Sequence, residues 1–332
     1  MTETPILEGR NLSKAFLPPR SLAQTIARML GASEGRRGVH AVSDVSLAVQ
    51  KGEVLGLVGE SGCGKSTLGR ILSGVLSPSS GQVRYRGQTT QDMNAAERKA
   101  AALKIQMIFQ NPYASLNPRI RVGNLIGEAP TVHGLIDRSE RDDFLSEILQ
   151  RVGLDPSYLD RFPHQLSGGQ RQRIGIARAL AVDPEVLVCD ESVAALDVSS
   201  QAQILNLFMR LREELQLTYV FISHDLGVVY HVSDRVAIVY LGRVVEIAPT
   251  VELYGEPNHP YTRALLGQVT RLHDRRQKYT VIKGEMPSPL SPPTGCHFHP
   301  RCPMAMPRCK TETPVLREIG PGHLSSCHLN DQ

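Results

Sequence analysis

A short apolar run that leads directly into a glycine-rich turn constrains this chain more than any other feature. The run is Val54–Val58, and the turn is Gly59-Glu60-Ser61-Gly62-Cys63-Gly64-Lys65-Ser66. A buried strand, a turn of this spacing and a helix together form a loop whose backbone N–H groups face phosphate oxygens. The N-terminus of the following helix adds partial positive charge. The pattern therefore predicts an α/β fold with a phosphate-binding loop between a strand and a helix over 65–76.

The side chains of this turn suit a nucleotide and its metal ion. Lys65 can reach the β- and γ-phosphates, and the Ser66 hydroxyl can ligate Mg²⁺. We expect Cys63 to be a small filler within the turn rather than a reactive thiol. The remaining candidate phosphate-contacting residues of the segment are Gly59, Ser61, Gly62, Gly64 and Thr67.

Two adjacent acids end a second apolar run. Asp190 and Glu191 follow Leu187-Val188-Cys189. An Asp at this place can hold Mg²⁺ through water, and the next carboxylate can polarise an attacking water. Such pairs often only cap a strand, so the prediction depends on the phosphate loop upstream.

Further apolar runs predict the remaining strands of a parallel sheet. They lie at 105–109, 186–189, 218–222 and 235–240, and helical patterns such as 201–215 separate them. Alternating strands and helices favour a parallel sheet that is covered on both faces. Between residues 112 and 180 only helical patterns occur, such as 140–152 and 170–180, which predicts a helical insertion.

Charge and composition divide the chain into two parts. Residues 1–255 hold 27 basic and 27 acidic side chains, whereas residues 256–332 hold 10 and 6. The tail also contains four of the six Cys, six of the eleven His and eleven of the twenty-two Pro. Because proline recurs every few residues, we expect irregular structure there rather than regular helix. The domains expected are 1–255 and 256–332.

Neither a secretory signal nor a membrane span is indicated by the sequence. We therefore expect a cytosolic chain with reduced thiols, whose membrane association depends on a partner. Residues 17–38, which contain two prolines and several arginines, are expected to form an exposed loop extension.

The segment Leu166-Ser167-Gly168-Gly169-Gln170 precedes an arginine-rich helix. Ser167 can act simply as the N-cap of that helix. Because a phosphate loop and an acid pair occur in the same chain, we favour a second helix end that contacts phosphate.

In their order along the chain, these motifs resemble the ATP-binding subunits of ABC transporters. The order is the phosphate loop, Gln110, 166–170, Asp190-Glu191, Leu196-Asp197 and His224. The resemblance covers about residues 6–255. It implies a P-loop NTPase (RecA-like) core with an antiparallel β edge and a helical subdomain at about 112–180.

The same resemblance implies roles for single residues. Phe16 would stack on adenine, and Gln110 would sense Mg²⁺ and the attacking water. Glu191 would act as general base, and His224 would contact the γ-phosphate. The implied magnesium ligands are Ser66, Gln110 and Asp190.

A head-to-tail dimer is also implied, in which Ser167, Gly168, Gly169 and Gln170 contact the ATP of the opposite subunit. Family members usually have Pro directly after the catalytic Glu and Ser three residues after it. Here these positions are Ser192 and Ala194. Their effect on coupling across the dimer is left open.

Narrower motifs resemble one branch, the importers of dipeptides, oligopeptides and nickel. They are the segments 111–119, 259–266, 284–289 and 295–296. Phe162-Pro163-His164 is most similar to the F-type ATPase of dipeptide importers.

The resemblance to this branch implies that the chain hydrolyses Mg-ATP to drive uptake of di- or oligopeptides. It also implies that the chain lies at the cytoplasmic face of the membrane. The implied partners are two permease subunits, a paralogous ATP-binding subunit and an extracytoplasmic solute-binding protein. Because specificity lies in the other subunits, the cargo stays open among peptides, nickel and other small solutes.

Four cysteines of the tail, Cys296, Cys302, Cys309 and Cys327, are separated by five, six and seventeen residues. This spacing lacks the close Cys pairs of structural zinc sites, so spacing alone leaves open a metal site or four free thiols. Four thiolates suit a [4Fe–4S] cluster or zinc, and the resemblance favours the cluster. Additional candidate ligands are His297, His299, His323 and His328. Such a cluster could be structural, or it could sense iron or redox state.

A soluble ABC-type ATPase that acts on nucleic acid is the alternative from another class. Such proteins generally have two linked ATPase units or long coiled-coil insertions, and this chain has neither. The tail is also poor in aromatic residues for base stacking. We therefore expect no nucleic-acid partner.

Overall fold

The structure is a computed structural model that describes residues 4–17, 38–111, 115–194, 196–268 and 284–331. The loop extension expected over 17–38 therefore lies almost wholly outside the described residues.

In the described residues, at least one helix lies between each successive pair of the predicted parallel strands, as expected. The strands are β1 (Leu7–Phe16), β2 (Val39–Val49), β3 (Val54–Val58), β4 (Ser80–Tyr85), β5 (Gln88–Thr89), β6 (Ile105–Ile108), β7 (Val186–Asp190), β8 (Thr218–Ile222), β9 (Arg235–Tyr240), β10 (Arg243–Pro249), β11 (Arg317–Gly320) and β12 (His323–Ser325). The helices are α1 (Lys65–Leu72), α2 (Ala95–Lys104), α3 (Val122–Val132), α4 (Arg141–Arg151), α5 (Gly168–Leu180), α6 (Val198–Leu215), α7 (Leu226–Val232), α8 (Thr250–Gly255) and α9 (Pro260–Leu266).

The larger sheet has eight strands in the order β11-β12-β10-β9-β3-β8-β7-β6. The five strands from β9 to β6 run parallel, which confirms the predicted parallel sheet. Every residue of β3, β7 and β8 is buried, as expected for strands that are covered on both faces. Since the strands are parallel, the carboxyl ends of β3 and β7 meet at one edge of the sheet.

A second, antiparallel sheet has the order β2-β1-β4-β5 and forms the predicted antiparallel edge. Helix α1 lies between the two sheets in one apolar cluster. In this cluster Leu68 and Ile71 of α1 are buried with Leu12 of β1 and Leu55 of β3. This packing fixes the start of α1, and with it the end of the phosphate loop.

Helices α3, α4 and α5 form the predicted helical insertion between β6 and β7. Within the described residues from 115 to 180 there is no strand. The helices meet through buried Leu125, Leu149 and Ile174. Among the helices that the structure describes, none has the length and apolarity needed to cross a membrane.

The tail is more regular than its proline content predicts. Helix α9 begins with Pro260 in its first turn, where the missing N–H of proline costs nothing. Strands β11 and β12 form a hairpin, and β12 pairs antiparallel with β10. The expectation of irregular structure after Glu256 is therefore wrong for these elements, because the open edge of β10 offers hydrogen bonds that local sequence does not reveal.

Candidate active site

The phosphate loop lies between β3 and α1, and two of its glycines have no room for a side chain. A Cβ on Gly64, whose φ is +108°, would lie 2.1 Å from the carbonyl oxygen of Ala41. A Cβ on Gly59 would lie 2.1 Å from the carbonyl oxygen of Val239. The loop is therefore held close to the backbone on two sides, and glycine is required at both positions.

Lys65 lies buried at the start of α1. Its Nζ donates hydrogen bonds to the carbonyl oxygens of Gly59, at 2.8 Å, and Glu60, at 3.0 Å. The ammonium thus lies at the loop itself, as the predicted phosphate contact requires. Cys63 is 1% exposed, and burial raises the pKa of its thiol, which agrees with the predicted filler role.

Ser66 and Asp190 bring two oxygen ligands together across the sheet edge. The Ser66 hydroxyl donates a 2.7 Å hydrogen bond to Oδ1 of Asp190. Burial raises the pKa of Asp190, while this hydrogen bond and the nearby cation Arg70 act in the opposite direction. A hydroxyl and a carboxylate at this separation are the hard oxygen donors that Mg²⁺ prefers, so the residues present fit the ion.

Glu191 is reached by two of the other predicted catalytic residues. The side-chain amide of Gln110 donates a 2.7 Å hydrogen bond to Oε2 of Glu191, and Nδ1 of His224 lies 3.4 Å from Oε1. Glu191 has φ +45°, a conformation in which non-glycine residues are strained and which is enriched at functional sites. The structure therefore brings Gln110, Glu191 and His224 together.

Phe16, the residue predicted to stack on adenine, has simpler surroundings. Phe16 ends β1 with a ring that is 44% exposed, and the Lys14 ammonium lies 5.5 Å from its centroid. An exposed ring is available for stacking on a base, and this role stays a prediction. Asp225, next to His224, caps α7 by accepting hydrogen bonds from two backbone N–H groups.

The segment 166–170 confirms the capping role of Ser167. Its hydroxyl accepts a hydrogen bond from the N–H of Gln170 at 3.3 Å, and the Gln170 side chain accepts one from the N–H of Ser167 at 2.9 Å. Gly168 and Gly169 lie against Leu196 and Ser200. Contact with ATP of a second subunit stays a prediction for this surface.

Two residues of the tail contact the phosphate loop, and sequence reasoning predicted this contact for neither, although Tyr261 lies within the motif 259–266. The Tyr261 hydroxyl accepts a 3.0 Å hydrogen bond from the N–H of Glu60. Nη1 of Arg301 donates to both carboxylate oxygens of Glu60, at 3.0 and 3.1 Å. No periodicity or spacing rule relates positions that are so far apart in the chain.

The four tail cysteines line one small apolar cavity, together with residues such as Phe298 and Pro260. No disulfide joins them. Burial, together with the smaller effect of the other three thiols, raises the pKa of Cys296 to about 11. Four thiolates here therefore require compensating positive charge.

Two of the candidate histidine ligands are engaged elsewhere. Nδ1 of His297 donates to the carbonyl oxygen of Leu241, and His323 lies between the carboxylates of Glu246 and Glu252. Across the described ranges, no three His, Cys, Asp or Glu side chains are arranged to hold a metal ion. The zinc alternative therefore finds no site in the described residues, and the geometry alone does not support the iron–sulfur prediction.

Two family models match the chain. Residues 42–194 match the model described as ABC transporter, and residues 245–309 match the C-terminal region of oligopeptide/dipeptide transporters.

Curated relatives match over most of the chain. The oligopeptide transport ATP-binding protein AppF of Bacillus subtilis is 49% identical over 328 residues, which are 98% of this chain and 97% of AppF. The putative oligopeptide transport ATP-binding protein YkfD of the same organism is 50% identical, over 89% of this chain and 91% of YkfD.

Solved structures with the same fold are ATP-binding cassettes. A dimeric post-hydrolysis state of the cassette MJ0796 with ADP and phosphate has a TM-score of 0.62 and 27% identity, over 74% of this chain and 98% of that chain. CbiO1 of Clostridium perfringens, part of an ABC transporter complex, also has a TM-score of 0.62 and 27% identity, over 76% of this chain and 92% of its own.

Proposed function

The chain belongs to the ATP-binding subunits of ABC transporters, in the oligopeptide/dipeptide transporter branch, and we propose that its ATP hydrolysis drives the import of short peptides. The observation that carries this proposal is the convergence of Ser66, Asp190, Gln110, Glu191 and His224 at one sheet edge. The peptide cargo is supported by AppF and YkfD, both named oligopeptide transport proteins.

Each residue of the site has a part in hydrolysis. Glu191 accepts a proton from the attacking water. Gln110, which is hydrogen-bonded to the Glu191 carboxylate, orients that water. Lys65 and His224 stabilise charge on the phosphates. Ser66 and Asp190 would hold Mg²⁺, which neutralises phosphate charge when it is bound.

A groove beside Gln110 provides a docking surface for a permease subunit. It runs between α5 and the strand β6, and its lining includes Val75, Met107, Phe109, Leu116 and Arg178. Val75 and Phe109 are exposed although they are apolar. Movement of Gln110 during hydrolysis reaches this groove directly through Phe109, which offers a route from ATP to the permease. Part of the motif 111–119 beside it, residues 112–114, lies outside the described residues.

An importer of this type works with a dimer of ATP-binding subunits and with permeases in the membrane. We propose a paralogous subunit as the dimer partner, an extracytoplasmic binding protein as the source of cargo, and a position at the cytoplasmic face. In that dimer, Ser167 to Gln170 contact the partner's ATP, and Phe16 stacks on the adenine of the chain's own ATP.

Reconstitution tests the cargo. The chain is assembled with its permeases and paralogue in proteoliposomes, the solute-binding protein is added, and uptake of a labelled tripeptide and of nickel is measured with and without ATP. ATP-dependent peptide uptake that is lost in Lys65→Ala supports the proposal. Uptake of nickel without peptide uptake would contradict the peptide assignment and favour the nickel branch.

We also propose that the four tail thiols hold a [4Fe–4S] cluster. The proposal rests on the family resemblance and on the four thiols lining one apolar cavity, although no group of the described residues is arranged to hold a metal ion. Thiolates around a cluster of four irons stand farther apart than those around one zinc ion, so four thiols can share a cavity without converging on one point. The irons would also supply the positive charge that burial of the thiolates requires.

Anaerobic purification tests the cluster. The expected protein is brown, absorbs broadly near 400 nm and contains about four irons and four sulfides per chain. Cys302→Ser should lose the iron, whereas Cys189→Ala, which alters a buried cysteine of β7, should keep it. Stoichiometric zinc, or no metal at all, would contradict the cluster. If Cys302→Ser lowers stability but not uptake per folded complex, the cluster is structural and not a sensor.

A further inference from the structure

We infer that Tyr261 and Arg301 are positioning residues for the phosphate loop, and that through Glu60 the C-terminal region holds this loop in its nucleotide-binding shape. The inference starts from Glu60, the second residue of the loop, whose backbone and side chain are both bound by the tail. It concerns nucleotide binding alone and depends neither on the transported cargo nor on the proposed iron–sulfur cluster.

The first contact acts on the loop backbone. The N–H of Glu60 donates to the Tyr261 hydroxyl at 3.0 Å, so this N–H points to the tail rather than to the phosphate. The carbonyl oxygen of Glu60 accepts from Lys65 at 3.0 Å. The two peptide units that flank Glu60 are thereby fixed, the preceding one by the tail and the following one by Lys65, the lysine predicted to contact phosphate.

The second contact acts on the Glu60 side chain. The Arg301 side chain is only 6% exposed, and that of Glu60 is 26% exposed. One guanidinium nitrogen of Arg301 donates hydrogen bonds to both carboxylate oxygens of Glu60. A charge-assisted contact that is shielded from water is stronger than a surface ion pair.

The tail residues themselves are held rigidly by an aromatic cluster. The rings of Tyr240, Tyr261 and Phe298 pack with centroids 4.7 to 5.3 Å apart. Arg301 lies over the Tyr240 ring, with its guanidinium carbon 5.8 Å from the centroid. A phenol and a guanidinium that cannot move make effective anchors for a loop.

The aromatic cluster also borders the four-thiol cavity. Phe298 lines that cavity and also packs on Tyr261, and Arg301 directly precedes Cys302. The cavity is therefore joined to the residues that contact Glu60 by direct packing and by one peptide bond. The tail is in this way a part of the nucleotide site and not an appendage to it.

Loss of these anchors should weaken nucleotide binding more than it slows the chemical step. A loop that is fixed before binding loses less conformational freedom when phosphate arrives. The catalytic groups Glu191 and His224 follow β7 and β8, whereas Glu60 follows β3. The expected signature is a higher KM for ATP with kcat little changed.

Tyr261→Phe is the most conservative test, since it removes only the hydroxyl. In the full chain, calorimetry with Mg-ADP and the non-hydrolysable analogue AMP-PNP should give a Kd about fivefold higher, the size expected from one hydrogen bond. Arg301→Met should raise the Kd about tenfold. In the assembled transporter, KM for ATP should rise by the same factors, while kcat changes less than about twofold.

A double-mutant cycle tests whether Arg301 acts through Glu60. Glu60→Gln with Arg301→Met should bind nucleotide no more weakly than Arg301→Met alone. The matched control is Arg308→Ala, because Arg308 forms ion pairs with Glu312 and Asp331 within the tail. Its Kd for nucleotide should stay at the wild-type value.

Three results would overturn the inference: unchanged Kd values in folded Tyr261→Phe and Arg301→Met, a control that weakens binding equally, or additive effects in the cycle. The cargo proposal is tested independently, because it fails only if the reconstituted wild type takes up no peptide. Far-UV circular dichroism checks that each variant is folded, and Tyr261→Phe keeps the test valid if Arg301→Met does not fold.

Discussion

The amide of Gln110 and the carboxylate of Glu191 are joined by a 2.7 Å hydrogen bond, across the gap between the ends of β6 and β7. The two residues thus form one hydrogen-bonded unit. Gln110 directly follows Phe109, which lines the groove proposed for the permease. The proposed base Glu191 is therefore linked through Gln110 to that docking surface. Any change in the charge of Glu191 changes the strength of this hydrogen bond.

Glu191→Gln should nearly abolish turnover while ATP still binds. The amide cannot take a proton from water, and removal of a general base costs about 10²- to 10⁴-fold in rate. The ATPase rate and the amount of retained nucleotide are measured together. Glu214→Gln, the same change at an exposed position of α6, should leave both unchanged. A Glu191→Gln protein that hydrolyses ATP at the normal rate would remove Glu191 as base.

Ser66→Ala should raise the Mg²⁺ concentration needed for half-maximal ATPase activity about tenfold, as is typical when a group that contacts a metal or its ligands is removed. The change deletes a hydroxyl 2.7 Å from Asp190 and leaves that carboxylate with one partner fewer.

The control for this experiment is Ser146→Ala. The Ser146 hydroxyl donates to the carbonyl oxygen of Asp142 on α4. Its Mg²⁺ titration should overlay that of the wild type. An unchanged titration in Ser66→Ala would show that this hydroxyl is not a ligand.

The parts of this site that sequence predicts are those encoded locally. The phosphate loop and the acid pair each follow a buried strand, so the parallel sheet necessarily places them at one edge. The roles of Gln110 and His224 are predicted instead from the order of motifs in the family, because a single Gln or His has no local sequence signature.

The contacts of the tail could not be predicted in the same way. Arg301 lies 241 residues after Glu60, and the hairpin β11–β12 pairs with β10 only because that strand has an open edge. The four cysteines approach one cavity through segments without helical or strand periodicity. Tertiary packing determines where the four cysteines meet, and their spacing along the sequence does not reveal it.

Gly64→Ala should destroy nucleotide binding and destabilise the fold. The new Cβ meets the backbone of Ala41, which cannot move away like a side chain, and φ +108° is unfavourable for any L-residue. Strain of this kind costs about 1–3 kcal/mol. Calorimetry with Mg-ADP and chemical denaturation measure the two effects.

Gly175→Ala is the matched control, because Gly175 lies within α5 and a Cβ there meets nothing within 4 Å. Alanine should stabilise this helix by about 0.5–1 kcal/mol and leave ADP binding unchanged. Equal loss of binding in both variants would show that the phosphate loop does not require glycine at position 64 for steric reasons.

The stability of the tail should fall as the pH rises above neutrality, because of His323. This ring is 4% exposed and lies 2.8 Å from the carboxylates of both Glu246 and Glu252. Burial alone would lower its pKa, but the two carboxylate hydrogen bonds outweigh burial and raise the pKa above the ordinary value of about 6.5. The folded chain therefore binds this proton more tightly than the unfolded chain does.

Linkage then fixes the direction of the effect. The contribution of His323 to the free energy of unfolding is complete below about pH 6.5 and is lost as the pH rises through the raised pKa of the folded state. Chemical denaturation from pH 6 to pH 9 measures it as the difference between wild type and His323→Gln, which cancels the other titrating groups, including buried His259 and His297. The difference should shrink with rising pH. A constant difference, or one that grows, would contradict a protonated His323 between the two carboxylates.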